Sequence, residues 1–368
     1  MDKQALIESF FELVRIDSPS MEEAKLAAHL EKKLVALGFS VSFDESGPIT
    51  GSNTGNLIAR LPGSAPGAIV LNAHMDCVEP CRGIEPYVED GIIRSRGNTI
   101  LSADDKAGIA AILEAIRFVL QEGRPHPEIW VVLTTCEELN LNGARALQED
   151  LFEKGTPCFV FDAVEAPGSV VVGAPFHYTF AAVFEGIAAH AGASPESGIS
   201  AIQMAAAAVG KMKLGRIDER TTANIGMILG GRATNIVPDS CTVVGECRSL
   251  FAERLEECKA QIFAALEQGA VQYGGSVGMK GELDYPGIHF DEADPLVEKL
   301  ACIAREVGLE PKCSISGGGA DANVLPAKGV VPITLGIGMK DPHSVSEYIS
   351  VKDLEDTASY IAAIITSF

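Results

Sequence analysis

Three short apolar runs constrain this chain most, because each leads straight into residues that no hydrophobic core would select. Residues 67–74 read Gly-Ala-Ile-Val-Leu-Asn-Ala and stop at His74, residues 128–135 run up to Glu137 and Glu138, and residues 157–162 stop at Asp162. Runs this brief and this apolar read as strands buried on both faces, the kind found in parallel sheets covered by helices. Between the first two, residues 106–121 carry apolar positions at helical spacing. The segment before them reads helix, helix, strand, strand. Ser20 followed by Glu23 has the pattern of a capping box, which predicts a helix over 21–37 ended by Gly38. Strands that alternate with helices in this way predict a three-layer α/β/α domain around a mostly parallel sheet.

From about His177 the pattern changes. Residues 178–185 read as a strand, 197–213 as a helix, 222–229 and 241–248 as strands, 251–273 as a long helix and 276–283 as a strand. That order, β-α-β-β-α-β, is a ferredoxin-like unit able to fold as a small α+β domain. After Pro286 the helix and strand alternation resumes. At 368 residues the chain is long for one core. The reading is therefore a discontinuous α/β domain over 1–175 and 286–368, interrupted by an inserted domain over 176–285.

A formal net charge of −21 excludes the basic face that a nucleic-acid partner requires. The first residues carry acid early and no basic stretch before an apolar core, so they read as an amphipathic helix and not an export signal. The longest apolar runs fall short of a membrane span. A cytoplasmic protein with neither membrane nor nucleic-acid partner is expected. Nine cysteines, without paired CxxC spacing, then read as reduced thiols, mostly small core residues.

Four groups of residues carry chemistry. In His74-Met75-Asp76, positions i and i+2 of a strand share a face, so His74 can ligate a cation while Asp76 holds its other ring nitrogen. On that fragment alone a structural histidine is the favoured reading. In Ser102-Ala103-Asp104-Asp105-Lys106-Ala107-Gly108, acids open a helix; one complements the helix dipole, and a carboxylate so placed can also bridge two cations. Glu137 and Glu138 follow an apolar strand, where one can ligate and the other move a proton, or where both are simply solvated. Asp162 and His343 complete a set of imidazoles and carboxylates without an essential thiolate, which suits zinc, cobalt or manganese.

These residues, in this order, resemble the dizinc exopeptidase family of peptidase T, glutamate carboxypeptidase and related deacylases. The resemblance covers essentially the whole chain: HMD at 74–76, ADDKAG at 103–108, the glutamates at 137–138, Asp162, GIAAHAG at 186–192, GGRATNIVPD at 230–239, GECRS at 245–249, GGGADAN at 317–323 and His343. It is nearest the peptidase T-like, tripeptide aminopeptidase branch. It implies two divalent metal ions, most simply zinc. His74 and Asp162 would hold one, Glu138 and His343 the other, and Asp104 would bridge them. A cis peptide after the bridging aspartate comes with it. Glu137 would be the general base on the bridging water, and Asp76 would support it by orienting His74. His190 would reach over the site to stabilise the oxyanion, with the inserted domain forming a homodimer. Asn235 and Arg248 would hold the substrate's carboxylate end, while Gly318 and Gly319 let backbone approach it and Asp321 places their loop. Cys77 and Cys136 depart from the family pattern and would expose the site to oxidation or soft metals. Cys77 and Cys81 could also hold a zinc of their own, although no second pair accompanies them.

Asp at 162 is the choice associated with aminopeptidase-type relatives, so removal of N-terminal residues from short peptides is the expected reaction. An N-acyl amino acid deacylase or dipeptidase is the alternative within the family. A metal-free binding scaffold is disfavoured by the intact ligand set. GGGADA is no dinucleotide-binding fingerprint, and no GxSxG elbow for a serine nucleophile occurs.

Overall fold

The computed structural model describes residues 2–368. The chain divides into two compact units. One comprises Met1–Val172, Phe290–Ser316 and Ala320–Phe368; the other comprises Gly173–His289 with Gly317–Gly319.

The first unit opens with helix α1 (Lys3–Val14), whose N-cap Asp2 accepts hydrogen bonds from the amides of Gln4 and Ala5. Helix α2 (Ala24–Ala36) follows. The expected capping box does not form, because both of its side chains are bonded elsewhere. Ser20 Oγ donates to Asp76, and Glu23 accepts from the amides of Met21 and Cys136. Strands β1 (Ser40–Phe43), β2 (Leu57–Leu61) and β3 (Ala68–His74) lead to helix α3 (Ala103–Gln121), then β4 (Glu128–Thr134), β5 (Thr156–Ala163) and β6 (Val170–Ala174). Six of the seven residues of β3 are buried, as its unbroken apolar run requires.

In the second unit β7 (Phe176–Glu185) is followed by a 3-10 turn at Pro195–Ser197 and helix α4 (Ala201–Val209). The single helix expected over 197–213 is thus shorter. Ser200 caps it by accepting from the amide of Gln203, and Gly210 ends it. Strands β8 (Gly215–Asp218), β9 (Thr221–Gly230) and β10 (Ser240–Ser249), helix α5 (Ala252–Tyr273) and strand β11 (Ser276–Tyr285) complete the unit. The antiparallel sheet runs β8-β9-β10-β7-β11. Apart from the edge strand β8, which sequence reasoning missed, this is the ferredoxin-like order. Cys241, Val243 and Cys247 alternate along β10 into a core shared with Met204, Ala205 and Leu266.

The chain returns to the first unit with α6 (Pro295–Glu306), β12 (Val330–Gly336) and α7 (Val351–Ser367). Here the sheet runs β1-β2-β4-β3-β5-β12-β6. Its centre is parallel, β4 with β3, β3 with β5 and β5 with β12. Its margins are antiparallel. Helices α1, α3, α6 and α7 bury their apolar faces in the core around the sheet. Parallel central strands bring the ends of β3, β4 and β5 to one edge of the sheet, where α/β folds bind their ligands.

Candidate metal centre and substrate groups

His74 is the last residue of β3 and is buried. Its Nε2 lies 2.9 Å from Asp104 Oδ1 and 4.0 Å from Asp162 Oδ1. The other oxygen of Asp104 lies 3.2 Å from Nε2 of His343, which in turn lies 3.0 Å from Glu138 Oε1. One carboxylate thus presents one oxygen to each imidazole, the arrangement a bridging ligand needs. Ligand atoms of His74, Asp104 and Glu138 fall within 4.8 Å of one another, and so do those of His74, Asp105 and Asp162. All five candidate ligands come together in the first unit. Glu137 belongs to neither group.

Local backbone explains how α3 delivers its acids. Ser102 adopts a left-handed conformation, Asp104 and Asp105 have non-helical angles, and the peptide between them is cis. Both aspartates are therefore lifted out of the helical run that follows. Gly108 is required where α3 meets β5: a Cβ there would stand 2.4 Å from Asp105 Oδ1 and 2.6 Å from the carbonyl oxygen of Phe161. Cys136, just before the two glutamates, is also left-handed (φ 51°), as is His343 (φ 61°). Non-glycine residues in this region cost free energy and collect at functional sites.

The carboxylates that do not face an imidazole hold these loops. Asp76 Oδ1 accepts from the amide of Glu137 at 2.9 Å and Oδ2 from that of Glu138 at 3.2 Å. Orientation of His74 was the job expected of Asp76. Its carboxylate lies 3.6 Å from His74 Nδ1, and its backbone oxygen 3.0 Å from the same nitrogen. Glu347, which sequence reasoning missed, takes the amides of Leu101 and Ser102 on Oε2, each at 2.7 Å, and that of Asp104 on Oε1 at 3.0 Å. Glu23 takes the amide of Cys136 at 3.0 Å. Asp321, expected to place the glycine loop, accepts from Thr134 and Asn72. Nothing in the local sequence marked Glu347, and Glu23 was mistaken for half of a helix cap.

Electrostatics test whether divalent cations fit. Burial pushes the carboxyls of Glu137, Asp162, Asp105 and Glu138 upward, and neighbouring carboxylates reinforce it in each case. Burial also opposes ionisation of Asp104, yet hydrogen bonds from His343 and His74 hold it below its usual range. Asp104 and Glu138 raise His343 to about 10. The imidazoles thus cling to protons in an excess of negative charge. Glu138 Oε1 is buried, and His343, though close, is out of line for a hydrogen bond to it. Nitrogen and oxygen donors without thiolate, crowded and short of positive charge, fit two divalent ions of the zinc type. His74, Asp104, Asp162, Glu138 and His343 would hold them.

Cys77 and Cys136 are both buried. Burial raises the Cys77 thiol and pushes that of Cys136 up to about 12, so neither is poised as a reactive thiolate. The oxidation hazard expected of them is accordingly small. Seven of the nine cysteines are buried, and Cys302 and Cys313 are exposed. No thiol enters the candidate metal groups found among the described residues.

The second unit holds the other expected residues in two places. His190 is exposed on a two-residue strand, Ala189–His190, that pairs with Ile236–Val237. The amide of Ala191 donates to the backbone oxygen of Asn235 at 2.9 Å, so these two residues are neighbours. His190 Nδ1 accepts from the amides of Gly192 and Ala193, each at 3.1 Å. A neutral ring with Nδ1 so engaged carries its proton on Nε2. Elsewhere in the unit, Arg248 on β10 stands beside Gly318, Gly319 and Tyr285. Its Nη1 lies 3.4 Å from the Tyr285 hydroxyl, which accepts from the amide of Gly319 at 3.1 Å.

A parallel-centred sheet with an acid-and-imidazole centre at its strand ends, interrupted by a ferredoxin-like unit, defines a class of hydrolase. The model of peptidase family M20/M25/M40 matches residues 70–367; the chain belongs to that family and is a metallo-exopeptidase. It is similar to the aminopeptidase PepT from Bacillus cereus, with 40% identity and a TM-score of 0.91 over 100% of this chain and 98% of that one. A tripeptidase from Staphylococcus aureus superposes with a TM-score of 0.94 at 37% identity, again over 100% and 98% of the two chains. Among curated proteins, the uncharacterized protein YqjE of Bacillus subtilis is 39% identical over 366 residues, 99% of this chain and 98% of its own. No helix among the described residues is long and apolar enough to cross a membrane.

Proposed function

We propose that this chain is a two-metal aminopeptidase that removes N-terminal residues from short peptides, tripeptides foremost. The observation that carries the reading is Asp104, whose two oxygens face His74 and His343 separately while Glu137 is left out of both ligand groups. When bound, two such ions acidify water and polarise the scissile carbonyl. Glu137, buried and outside both ligand groups, is placed to take a proton from the attacking water and return it to the leaving amine. Asp76 fixes the turn that carries Glu137. His190, with its Nε2 hydrogen turned outward by the Gly192 and Ala193 amides, donates to the oxyanion. Arg248 holds the peptide's terminal carboxylate, and Asn235, Gly318 and Gly319 line the substrate. The proposed address is the cytoplasm.

The test is Glu137→Gln. It is expected to retain metal and to lower kcat by at least about a hundredfold; loss of metal would move Glu137 into the ligand set. Tripeptides are expected to be cleaved faster than dipeptides and acetylated amino acids, and a preference for acetylated amino acids would favour a deacylase.

We also propose a homodimer formed through the second unit. Among the described residues β8 accompanies β9 only as far as Ala223. Beyond it Met227, Ile228 and Leu229 are more than half exposed, at 53%, 52% and 59%. An apolar strand edge of this kind invites pairing. Leu229→Asp should yield a monomer by analytical ultracentrifugation, and a wild-type monomer at assay concentration would refute the proposal.

A further inference from the structure

One group of charged side chains in the second unit has no part in the reaction described so far. His177, on β7, is buried. Its Nε2 lies 2.7 Å from Glu246 Oε2 and its Nδ1 3.5 Å from Asp284 Oδ2, so both ring nitrogens face carboxylates. Thr179 Oγ1 donates to the other oxygen of Asp284 at 3.3 Å. Glu246 Oε2 also accepts from Arg248 Nη2 at 3.0 Å. Asp284, His177, Glu246 and Arg248 thus follow one another as a chain of polar neighbours, and the centroid of the His177 ring lies 5.1 Å from that of Tyr285.

A single oxygen of Glu246 therefore serves two donors. That matters because a carboxylate beside a guanidinium, if left alone, turns both oxygens onto it in a bidentate fork. Such a grip would occupy the edge of Arg248 that a substrate carboxylate needs. By competing for Oε2, His177 keeps Glu246 on Nη2 alone. Arg248 Nε is buried without a hydrogen-bond partner, a donor held in reserve. Around it the wall is backbone: a Cβ at Gly318 would come 4.0 Å from Arg248 Nη1, and one at Gly319 would strike the Tyr285 ring at 2.5 Å. Beside the guanidinium, then, stand the backbone of two glycines and the Tyr285 hydroxyl.

We propose that His177 is a positioning residue for substrate recognition: it restrains Glu246 so that Arg248 keeps an open edge for the C-terminal carboxylate of a short peptide. The proposal rests on the reading that Arg248 binds that carboxylate, and it adds His177, which stands opposite Arg248 in the β7–β10 ladder and acts on it through Glu246. It predicts a selectivity effect and not a chemical one. Removing His177 should weaken peptides with a free carboxylate and spare those ending in an amide.

The experiment compares a tripeptide with its C-terminal amide on the metal-loaded, full-length enzyme. Asn at 177 is too short to reach Glu246, whereas Gln can place an N–H where Nε2 stands. His177→Asn should raise KM for the free tripeptide about tenfold, with kcat within about twofold and the amide's KM unchanged. His177→Gln should restore most of the discrimination, which a merely structural role would not predict. If His177→Asn does not fold, Glu246→Asp replaces it, since the charge is kept but the shorter arm cannot serve both donors; the same selective rise is expected. Unchanged preference for the free carboxylate in these variants overturns the proposal. Arg248→Met separates the two ideas: if it too leaves the preference intact, the assignment of Arg248 fails, and if it alone abolishes the preference, only the role of His177 fails.

Discussion

In the first unit Asp104, Asp105, Glu137, Glu138 and Asp162 crowd two imidazoles, whereas in the second Glu246 stands between the imidazole of His177 and the guanidinium of Arg248. The consequences for ionisation are opposite. Burial and mutual repulsion push four of the five clustered carboxyls up. Glu246, held by hydrogen bonds from His177 and Arg248, is pulled down to about 2. A carboxylate with a guanidinium beside it has its counter-charge in place, while a cluster with excess acid has a deficit that cations can fill. The comparison explains why the metal centre is expected in one place and substrate recognition in the other.

The sharpest way to break the comparison is to remove the metal. Chelation should abolish turnover, and returning zinc, cobalt or manganese should restore it. Because ions that bind only the folded state stabilise it by mass action, a concentration of about 100 Kd adds about 2.7 kcal/mol, a rise in Tm of several degrees. Differential scanning calorimetry of the stripped and reloaded protein reads this directly. Equal melting temperatures, with full activity after chelation, would show that the acid cluster is not a metal site.

A smaller effect separates the ligands from the residues that hold them. Glu347 uses both oxygens to accept three backbone amides on the stretch that carries Asp104. Gln at this position keeps the shape but turns an NH2 group toward one of those amides, leaving two donors face to face. Partners that orient metal ligands typically account for 10- to 100-fold in metal affinity. Glu347→Gln should lose about that much in a competitive chelator titration, with little change in zinc-independent secondary structure. Unchanged affinity would mean that the Asp104 turn is held by its own backbone.

How much of this was legible in the sequence depended on whether the signal was local. His74, Asp104 and Asp162 stand at strand ends or a helix start and Glu138 just past an apolar strand, so pattern marked their positions, whereas His343, in a turn, was found only by its place in the order of motifs. The paired strands and helices of the second unit were equally readable, because alternation and helical spacing are local properties. Strand β8 was not: Gly-Arg-Ile-Asp has no apolar alternation and is a strand only because β9 lies beside it. Glu23 and Glu347 were invisible for the same reason. Each holds backbone amides more than a hundred positions away, Glu23 at Cys136 and Glu347 at Leu101 to Asp104, and an amide leaves no mark on sequence. Asp76 was placed beside His74, but the hydrogen bonds its carboxylate takes from the amides of the glutamate turn were not foreseen.

The smallest predicted effect probes the balanced side of the comparison. Glu246 has a folded-state pKa of about 2, below its ordinary value of 4.5, first because His177 bonds it and then because Arg248 does. A depressed carboxylate contributes stability that is fully present above the unfolded value and is lost as pH falls through the folded one. The window is therefore about pH 4.5 down to about 2. The side chain is 32% exposed, so solvent screening reduces the contribution to about 1 kcal/mol. Glu246→Gln should thus be less stable than wild type near pH 7 by about that amount, and the two stabilities should converge as the pH approaches 2. Urea unfolding at a series of pH values measures the gap. A gap independent of pH would assign the loss to packing and not to charge, and the second unit would then owe its buried polar chain to shape alone.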